Sequence, residues 1–365
     1  MDASFPVGFP GPTAMYLTLY VLTLAVHAIC VTYVLTGTGW VAVGAVCAAV
    51  RGDGGERGPV AVMFSDWLPF SVGAAITAGV APLLFLQILY REAFYTASLL
   101  LFNRWMAVVP VLVIGFYLLY AGKTQRVRGW SPARRAMLAV LAWLCFVFVA
   151  YSFTEMHLLA LDREAWVPFY ASESLFYGNA TKLPRVAMWL AAAVPVAVTI
   201  MGWQLWRAAP DEPAMQASSR RLSVAGLAGL LVAAVAGWAL RAAMTEAGRA
   251  AIWSPMARPY AVLAAVGVLC LAVAWALMLR RGRVSSVPLM VATAGVLQLV
   301  IGGAVVREAV RLTRLGNDQL YALHARAAEA GGMPVFLFFL VVNSAVVYWC
   351  FRMVRRGLGD ENAAR

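Results

Sequence analysis

Runs of apolar residues, each long enough to cross a membrane, recur along the whole chain and constrain its fold more than any other feature. A helix needs about 20 residues to cross a hydrocarbon core of ~30 Å. Hydrophobic residues make up 62% of the chain and charged residues 13%, which excludes an ordinary soluble domain. We therefore predict an all-α, polytopic integral membrane helical bundle of about nine transmembrane helices, forming one domain over residues 1–365. The predicted spans lie near residues 14–36, 67–90, 104–121, 135–154, 184–206, 222–243, 259–280, 286–306 and 333–353.

The loops between these spans predict the topology and the location. The most basic loop, Lys123–Arg135, lies on the cytoplasmic side if the N-terminus is outside and the C-terminus inside. The arginines are scattered through short loops, as is typical of residues that set membrane topology. The net charge of +12 therefore does not indicate a nucleic-acid partner. We expect a multi-pass protein of the bacterial inner (cytoplasmic) membrane, embedded in the lipid bilayer. Apolar residues continue past Gly37 to Val50, so the first span is either one long tilted helix or a span with an interfacial segment.

Specific catalytic or metal-binding motifs are not found in the sequence. The five cysteines lie in apolar segments without the spacing of a CxxC pair, a haem-attachment motif or a zinc site, so we predict structural thiols and no metal site. Whether the chain is an enzyme stays open.

His27 lies deep in the first span, with apolar neighbours in the sequence. It lies roughly 20 Å along that helix at 1.5 Å per residue. A histidine at this depth is a candidate axial ligand of a b-type haem. The alternative is a neutral imidazole that hydrogen-bonds a neighbouring helix. His157 and His324 are predicted beyond the spans, and a methionine could supply a second ligand.

The second span combines helix breakers with a polar outer end. Gly79 and Pro82 are expected to interrupt the helix at membrane depth. Five polar residues then crowd its outer end, which could line a quinone-sized cleft: Gln87, Tyr90, Arg91, Glu92 and Tyr95. The first four are the candidate substrate-binding residues. The alternative is a kinked helix with an interfacial belt of tyrosine and arginine.

The eighth span ends in a row of arginines. Arg307, Arg311 and Arg314 share one helix face because they are spaced i, i+4 and i+7. Such a row can bind haem propionates, lipid phosphates or the carboxylates of a partner. The alternative is a solvated helix end with Glu308 as a local partner.

Three segments resemble bacterial respiratory membrane subunits of the cytochrome bd oxidase subunit I type. They are VLTLAVHAICVTYVLTG, GVAPLLFLQILYREAFYTAS and VVREAVRLTRL, about a quarter of the chain. The resemblance implies a membrane cytochrome subunit that works between quinol and a periplasmic electron carrier. It makes His27 the haem-ligand candidate and places Arg307 and Arg311 near a propionate or quinone. The fifth span, LPRVAMWLAAAVPVAVTIMGW, departs from such subunits because it contains no histidine.

Three functions follow as hypotheses. The first is a membrane subunit of a respiratory or electron-transfer complex, acting at or beside a quinone or haem site together with other membrane subunits and a periplasmic cytochrome. The second is a non-catalytic scaffold subunit that anchors redox partners. The third, a small-solute transporter, is disfavoured because the predicted spans contain almost no charge that could couple ions.

Overall fold

Helices joined by short turns make up almost all of the described chain. The computed structural model describes residues 3–52, 58–208, 213–316 and 318–363. In chain order the helices are α1 (Gly11–Arg51), α2 (Pro59–Leu89), α3 (Arg91–Leu100), α4 (Phe102–Ala121), α5 (Gln125–Arg128), α6 (Pro132–Ala160), α7 (Trp166–Ala171), α8 (Lys182–Ala208), α9 (Pro213–Ala243), α10 (Glu246–Ile252), α11 (Arg258–Arg281), α12 (Ser286–Leu315), α13 (Asp318–Glu329) and α14 (Gly332–Ala363).

Eight of these helices, within the described ranges, are long and apolar enough to cross a membrane: α1, α2, α4, α6, α8, α9, α11 and α12. Leu320–Glu329 and Pro334–Val346 pass the same criterion together, although they are bent by 73°. They form a ninth span if the bent pair crosses as one unit. The prediction of a polytopic helical bundle with about nine spans is confirmed. The end of the bundle at which α1 begins is called the outer end, after the topology that the charges predict.

The first two helices are both continuous, so α1 is the single long helix of the two alternatives for the first span. α1 is a single helix through Gly37. A Cβ at this position would lie 2.8 Å from the Phe64 ring, so the glycine serves the close approach of α2 and does not break the helix. α2 also continues through Gly79 and Pro82, so the predicted break in the second span is wrong. Membrane helices tolerate such residues where neighbouring helices support the backbone.

The bundle is organised around α1, which contacts α2, α6, α8, α12 and α13. One apolar core surrounds its outer half, and a second core, around the fully buried Trp275, joins α8, α9, α11 and α12. Large apolar side chains are exposed on the outward faces, as expected where helices meet lipid.

The cysteines only partly match the expected burial. Cys30, Cys145 and Cys270 are partly buried, whereas Cys47 is exposed near the inner end of α1. The side chain of Cys350 lies outside the described residues.

The predicted orientation can be tested at an exposed position of the most basic loop. We expect a cysteine at Gln125, the first residue of α5, to resist a membrane-impermeant maleimide in intact cells and to react after lysis. The matched control is Ser174→Cys, at an exposed position of the opposite end, which should react in intact cells. The unmodified chain gives the background from native cysteines. Labelling of the Gln125 variant but not of the Ser174 variant in intact cells would reverse the topology.

Candidate functional site

Polar and charged side chains meet inside the bundle near its outer end, where α1, α6 and α12 lie beside the junction of α2 and α3. Apolar residues surround this group, among them Leu17, Leu89 and Leu312. Buried charge is costly inside a membrane protein and is by default a place to look for function. We call this group the outer cluster: Tyr20, Tyr90, His157, Arg307, Glu308 and Arg311.

Glu308 is the centre of the outer cluster and is fully buried. Its Oε2 accepts a hydrogen bond of 2.8 Å from the Tyr90 hydroxyl. The Arg311 Nη1 atom lies 3.1 Å from both carboxylate oxygens, and the Arg307 Nη2 atom lies 3.5 Å from Oε1. One carboxylate is therefore shared by two guanidinium groups and a phenol, which leaves a surplus of positive charge.

Arg311 connects the carboxylate to a histidine. Its side chain is almost completely buried, and its Nη2 atom lies 2.8 Å from the Nδ1 atom of His157. Because a guanidinium only donates hydrogen bonds, His157 accepts at Nδ1 and carries its proton on Nε2. Arg311 also stacks over the Tyr90 ring at 4.6 Å, and its Nη1 atom lies 3.4 Å from the Tyr20 hydroxyl. Arg307 donates to that same hydroxyl.

Tyr90 enters the cluster because α2 ends there. Its backbone (φ −134°, ψ 41°) leaves the helical conformation between α2 and α3 and places the side chain against α12. Burial raises the pKa of the Tyr90 phenol well above its ordinary value, and the negative charge of Glu308 raises it further. Tyr90 therefore remains a protonated hydrogen-bond donor.

His27 lies deeper along α1 than the cluster. Its Nδ1 atom lies 3.0 Å from the Ala75 carbonyl oxygen of α2, so Nδ1 carries the proton and Nε2 is left as an acceptor. The ring sits against Gly79, where a Cβ would lie 2.8 Å from the His27 Cε1 atom. Gly79 therefore makes room for the histidine.

The remaining predicted site residues divide into two groups. Arg307, Arg311 and Tyr90 meet in the outer cluster, whereas Gln87, Arg91 and Glu92 do not reach it. Gln87 accepts from the Tyr95 hydroxyl at 3.3 Å, and Arg91 and Glu92 are exposed, with Glu92 3.5 Å from Arg163. The predicted cleft lined by all four residues of the second span is therefore not formed.

The arginine row of α12 is more buried than a solvated helix end. Arg311 is 4% exposed and Arg307 lies mostly inside the bundle, whereas Arg314 is exposed and donates to the Thr245 hydroxyl at 3.1 Å. The interpretation of this face as a solvated helix end is wrong for Arg307 and Arg311.

Two members of the cluster, His157 and Tyr20, were not predicted from the sequence. His157 lies within α6, which continues to Ala160, and not beyond the span. Tyr20 carried no signal because its partners are more than two hundred residues away in the chain. His324 lies on α13 and is fully buried, with Nδ1 3.0 Å from Thr13 Oγ1 and Nε2 3.0 Å from the Leu89 carbonyl oxygen.

A second buried carboxylate, Glu155, lies on α6 near the same end. Its Oε1 atom lies 2.8 Å from Lys182 Nζ and accepts from the Tyr177 backbone N–H at 2.9 Å, and its Oε2 atom lies 3.0 Å from Arg104 Nε. The Tyr177 hydroxyl donates to Asp162, and burial together with that bond raises the pKa of Tyr177 to about 12. These contacts attach the segment before α8 to α4 and α6.

The fold and the outer cluster define a multi-pass helical membrane protein with a buried, positively charged polar network at one end. Neither protein-family models nor curated protein sequences match the chain.

Proposed function

We propose that this chain is a membrane subunit of a respiratory or electron-transfer complex in the bacterial cytoplasmic membrane, acting at a quinone or haem site beside the outer cluster. The observation that carries the proposal is that His27 and Tyr20 of the outer cluster lie on the same face of α1. His27 follows Tyr20 by seven residues, so both side chains point the same way and lie about 10 Å apart along the helix.

His27 fits the role of a haem ligand. Metal-ligating histidines usually donate their second ring N–H to a carbonyl or carboxylate, as His27 does to Ala75. All three histidines lie within the described residues. His324 has both ring nitrogens engaged, and the acceptor nitrogen of His157 is taken by Arg311. Bound haem would supply one-electron chemistry, His27 would be its ligand, and Arg307 and Arg311 would face its propionates.

The outer cluster also suits a quinone. Oxidation of a quinol releases protons, so its site needs buried groups that accept and pass them on. Glu308 is a buried carboxylate that can accept such a proton, and Tyr90 and Arg311 hold it in place by hydrogen bonds. Its place near the outer end would bring electrons within reach of a periplasmic cytochrome.

The proposal is tested by the reduced-minus-oxidised visible spectrum of the purified full-length protein, together with extraction of bound quinone. We expect a b-type α-band, and we expect His27→Ala to abolish it because a non-covalent haem is lost without its axial ligand. Val26→Ala, at the neighbouring exposed position of α1, should leave the band unchanged.

Wild-type protein that carries neither haem nor quinone, yet remains associated with other subunits, would favour the scaffold function instead. An unchanged α-band in His27→Ala would reject His27 as the ligand.

A further inference from the structure

A narrow cavity lies at the inner end of the bundle, between α1, α2, α4 and α6, and is partly open to the surface. Its volume of about 40 Å³ is the space of about three water molecules at ~10–15 Å³ each. Leucine, valine and alanine side chains form most of its wall, and the polar side chains that line it are those of Thr38, Ser65 and Arg135. A mostly apolar cavity of this size suits the end of one alkyl chain better than a larger ligand.

The short helix α5 closes one side of this cavity. Its Val127 is buried and lines the cavity, whereas Arg126 and Arg128 on either side of it are exposed. The Thr124 hydroxyl oxygen accepts a hydrogen bond of 3.4 Å from the Val127 backbone N–H and fixes the start of the helix. The apolar residue therefore faces the cavity, and two cations lie at the surface beside it.

Positive charge is concentrated around the same cavity. Residues 121–136 contain no acidic residue and five basic ones: Lys123, Arg126, Arg128, Arg134 and Arg135. Each of the five either lines the cavity or is next in the chain to a residue that does. Asp66 of α2 lies 3.5 Å from Lys123 and offsets one of these charges. A loop that only sets the membrane topology needs the positive charge but no cavity beside it.

We infer that the cavity and the basic segment around it form a binding site for an anionic phospholipid, with the lipid phosphate at Arg135 and the end of an acyl chain in the cavity. Arg135 joins the two parts of the site, because its side chain is half-buried and lines the cavity. Planar guanidinium groups bind phosphate oxygens in pairs.

The position of the site favours a lipid as its occupant. The ends of membrane helices lie at the level of lipid headgroups, and basic residues next to these ends attract anionic lipids. The site lies at the opposite end of the bundle from the outer cluster. The inference therefore does not rest on the proposed function, since a chain without haem or quinone would carry the same site.

The headgroup part of the site is tested with wild-type protein, Arg135→Gln and Arg134→Gln. Arg134 is the preceding residue, is exposed and does not line the cavity, so the control removes the same charge from the same segment. The proteins are placed in nanodiscs of phosphatidylcholine with or without phosphatidylglycerol. Thermal unfolding measures the stabilisation, and native mass spectrometry of detergent-extracted protein counts retained phosphatidylglycerol.

We expect phosphatidylglycerol to stabilise wild-type protein and Arg134→Gln alike. Arg135→Gln should bind it at least about tenfold more weakly, the effect of losing one charge-assisted hydrogen bond. If Arg135→Gln does not fold, Arg135→Lys keeps the charge but loses the paired donors, and it should also bind more weakly.

The cavity part of the site is tested with Ala139→Phe, which fills the cavity and leaves every charge in place. Ala133→Phe, at an exposed position of the same helix, is the matched control. We expect Ala139→Phe to lose retained phosphatidylglycerol and Ala133→Phe to keep it. If Ala139→Phe does not fold, Ala139→Leu fills less of the cavity and should weaken retention in the same direction. In a further arm, detergent-solubilised wild-type protein is titrated with inorganic phosphate against chloride at equal ionic strength, and phosphate should stabilise it much less than phosphatidylglycerol does.

Four results would overturn the inference. Wild-type protein that phosphatidylglycerol does not stabilise and that retains none has no such site. Equal weakening in Arg134→Gln and Arg135→Gln would show a diffuse attraction to the basic segment. Inorganic phosphate as effective as phosphatidylglycerol would identify a free anion as the ligand, and folded Ala139→Phe protein with wild-type retention would show that no chain enters the cavity. The haem spectrum is independent of all four, so failure of the electron-transfer proposal is separately recognisable.

Discussion

Glu155→Ala should destabilise the protein by about 3–5 kcal/mol, the cost of removing one partner from a buried ion pair. The change leaves Arg104 and Lys182 without their carboxylate, and their side chains are only 11% and 10% exposed. It also removes the acceptor of the Tyr177 backbone N–H. We therefore expect a lower unfolding temperature, by about 10 °C, and earlier proteolysis of the segment before α8.

The matched control for this change is Glu92→Ala. Glu92 also faces an arginine, Arg163, but its side chain is 63% exposed and the ion pair spans 3.5 Å. Exposed pairs of this kind contribute about 0–1 kcal/mol, so the unfolding temperature should hardly move. Both variants are measured in the same detergent by thermal unfolding and by titration with SDS. Equal stability of the two variants would mean that Glu155 does not hold the outer segment.

The membrane spans could be predicted because hydrophobicity along the chain is a local property. Each apolar run has to become a helix to satisfy its own backbone in lipid. The bounds were less predictable, since they depend on packing. The glycines of Gly37–Thr38–Gly39 suggest a break, yet Gly37 accommodates Phe64 and Gly39 accommodates Trp143, so both serve helix packing and α1 continues. The orientation of the termini remains a prediction from charge.

The candidate site was predicted only in part, because only its local features are visible in the sequence. The spacing of Arg307 and Arg311 is visible in the sequence and correctly places them on one helix face. Which way that face points depends on Tyr20 and His157, whose partners lie 287 and 154 residues away in the chain. Such contacts are properties of the packed bundle and not of any local pattern.

The close contact between α11 and α12 connects packing to the site. Gly267 and Gly295 face each other so closely that a Cβ on either would lie within 3 Å of the opposing backbone. Gly302 continues this contact toward the outer end, one and a half turns before Arg307. Small residues allow membrane helices to approach in this way, and the approach fixes the position of α12.

Gly302→Val should therefore cost about 3 kcal/mol or more, at the upper end of the range for overpacking. A Cβ at this position would lie 2.5 Å from the Tyr260 carbonyl oxygen and 2.9 Å from the Ala264 nitrogen. Both obstacles are backbone atoms, so α11 and α12 must separate. Gly303→Val is the matched control, because a Cβ at the next residue meets nothing within 4 Å. Valine is also a slightly better helix former than glycine, so the control should unfold at the wild-type temperature or just above it. The stability of the two variants is compared by thermal unfolding and by SDS titration. A Gly302→Val protein as stable as Gly303→Val would show that α11 and α12 do not meet at this glycine.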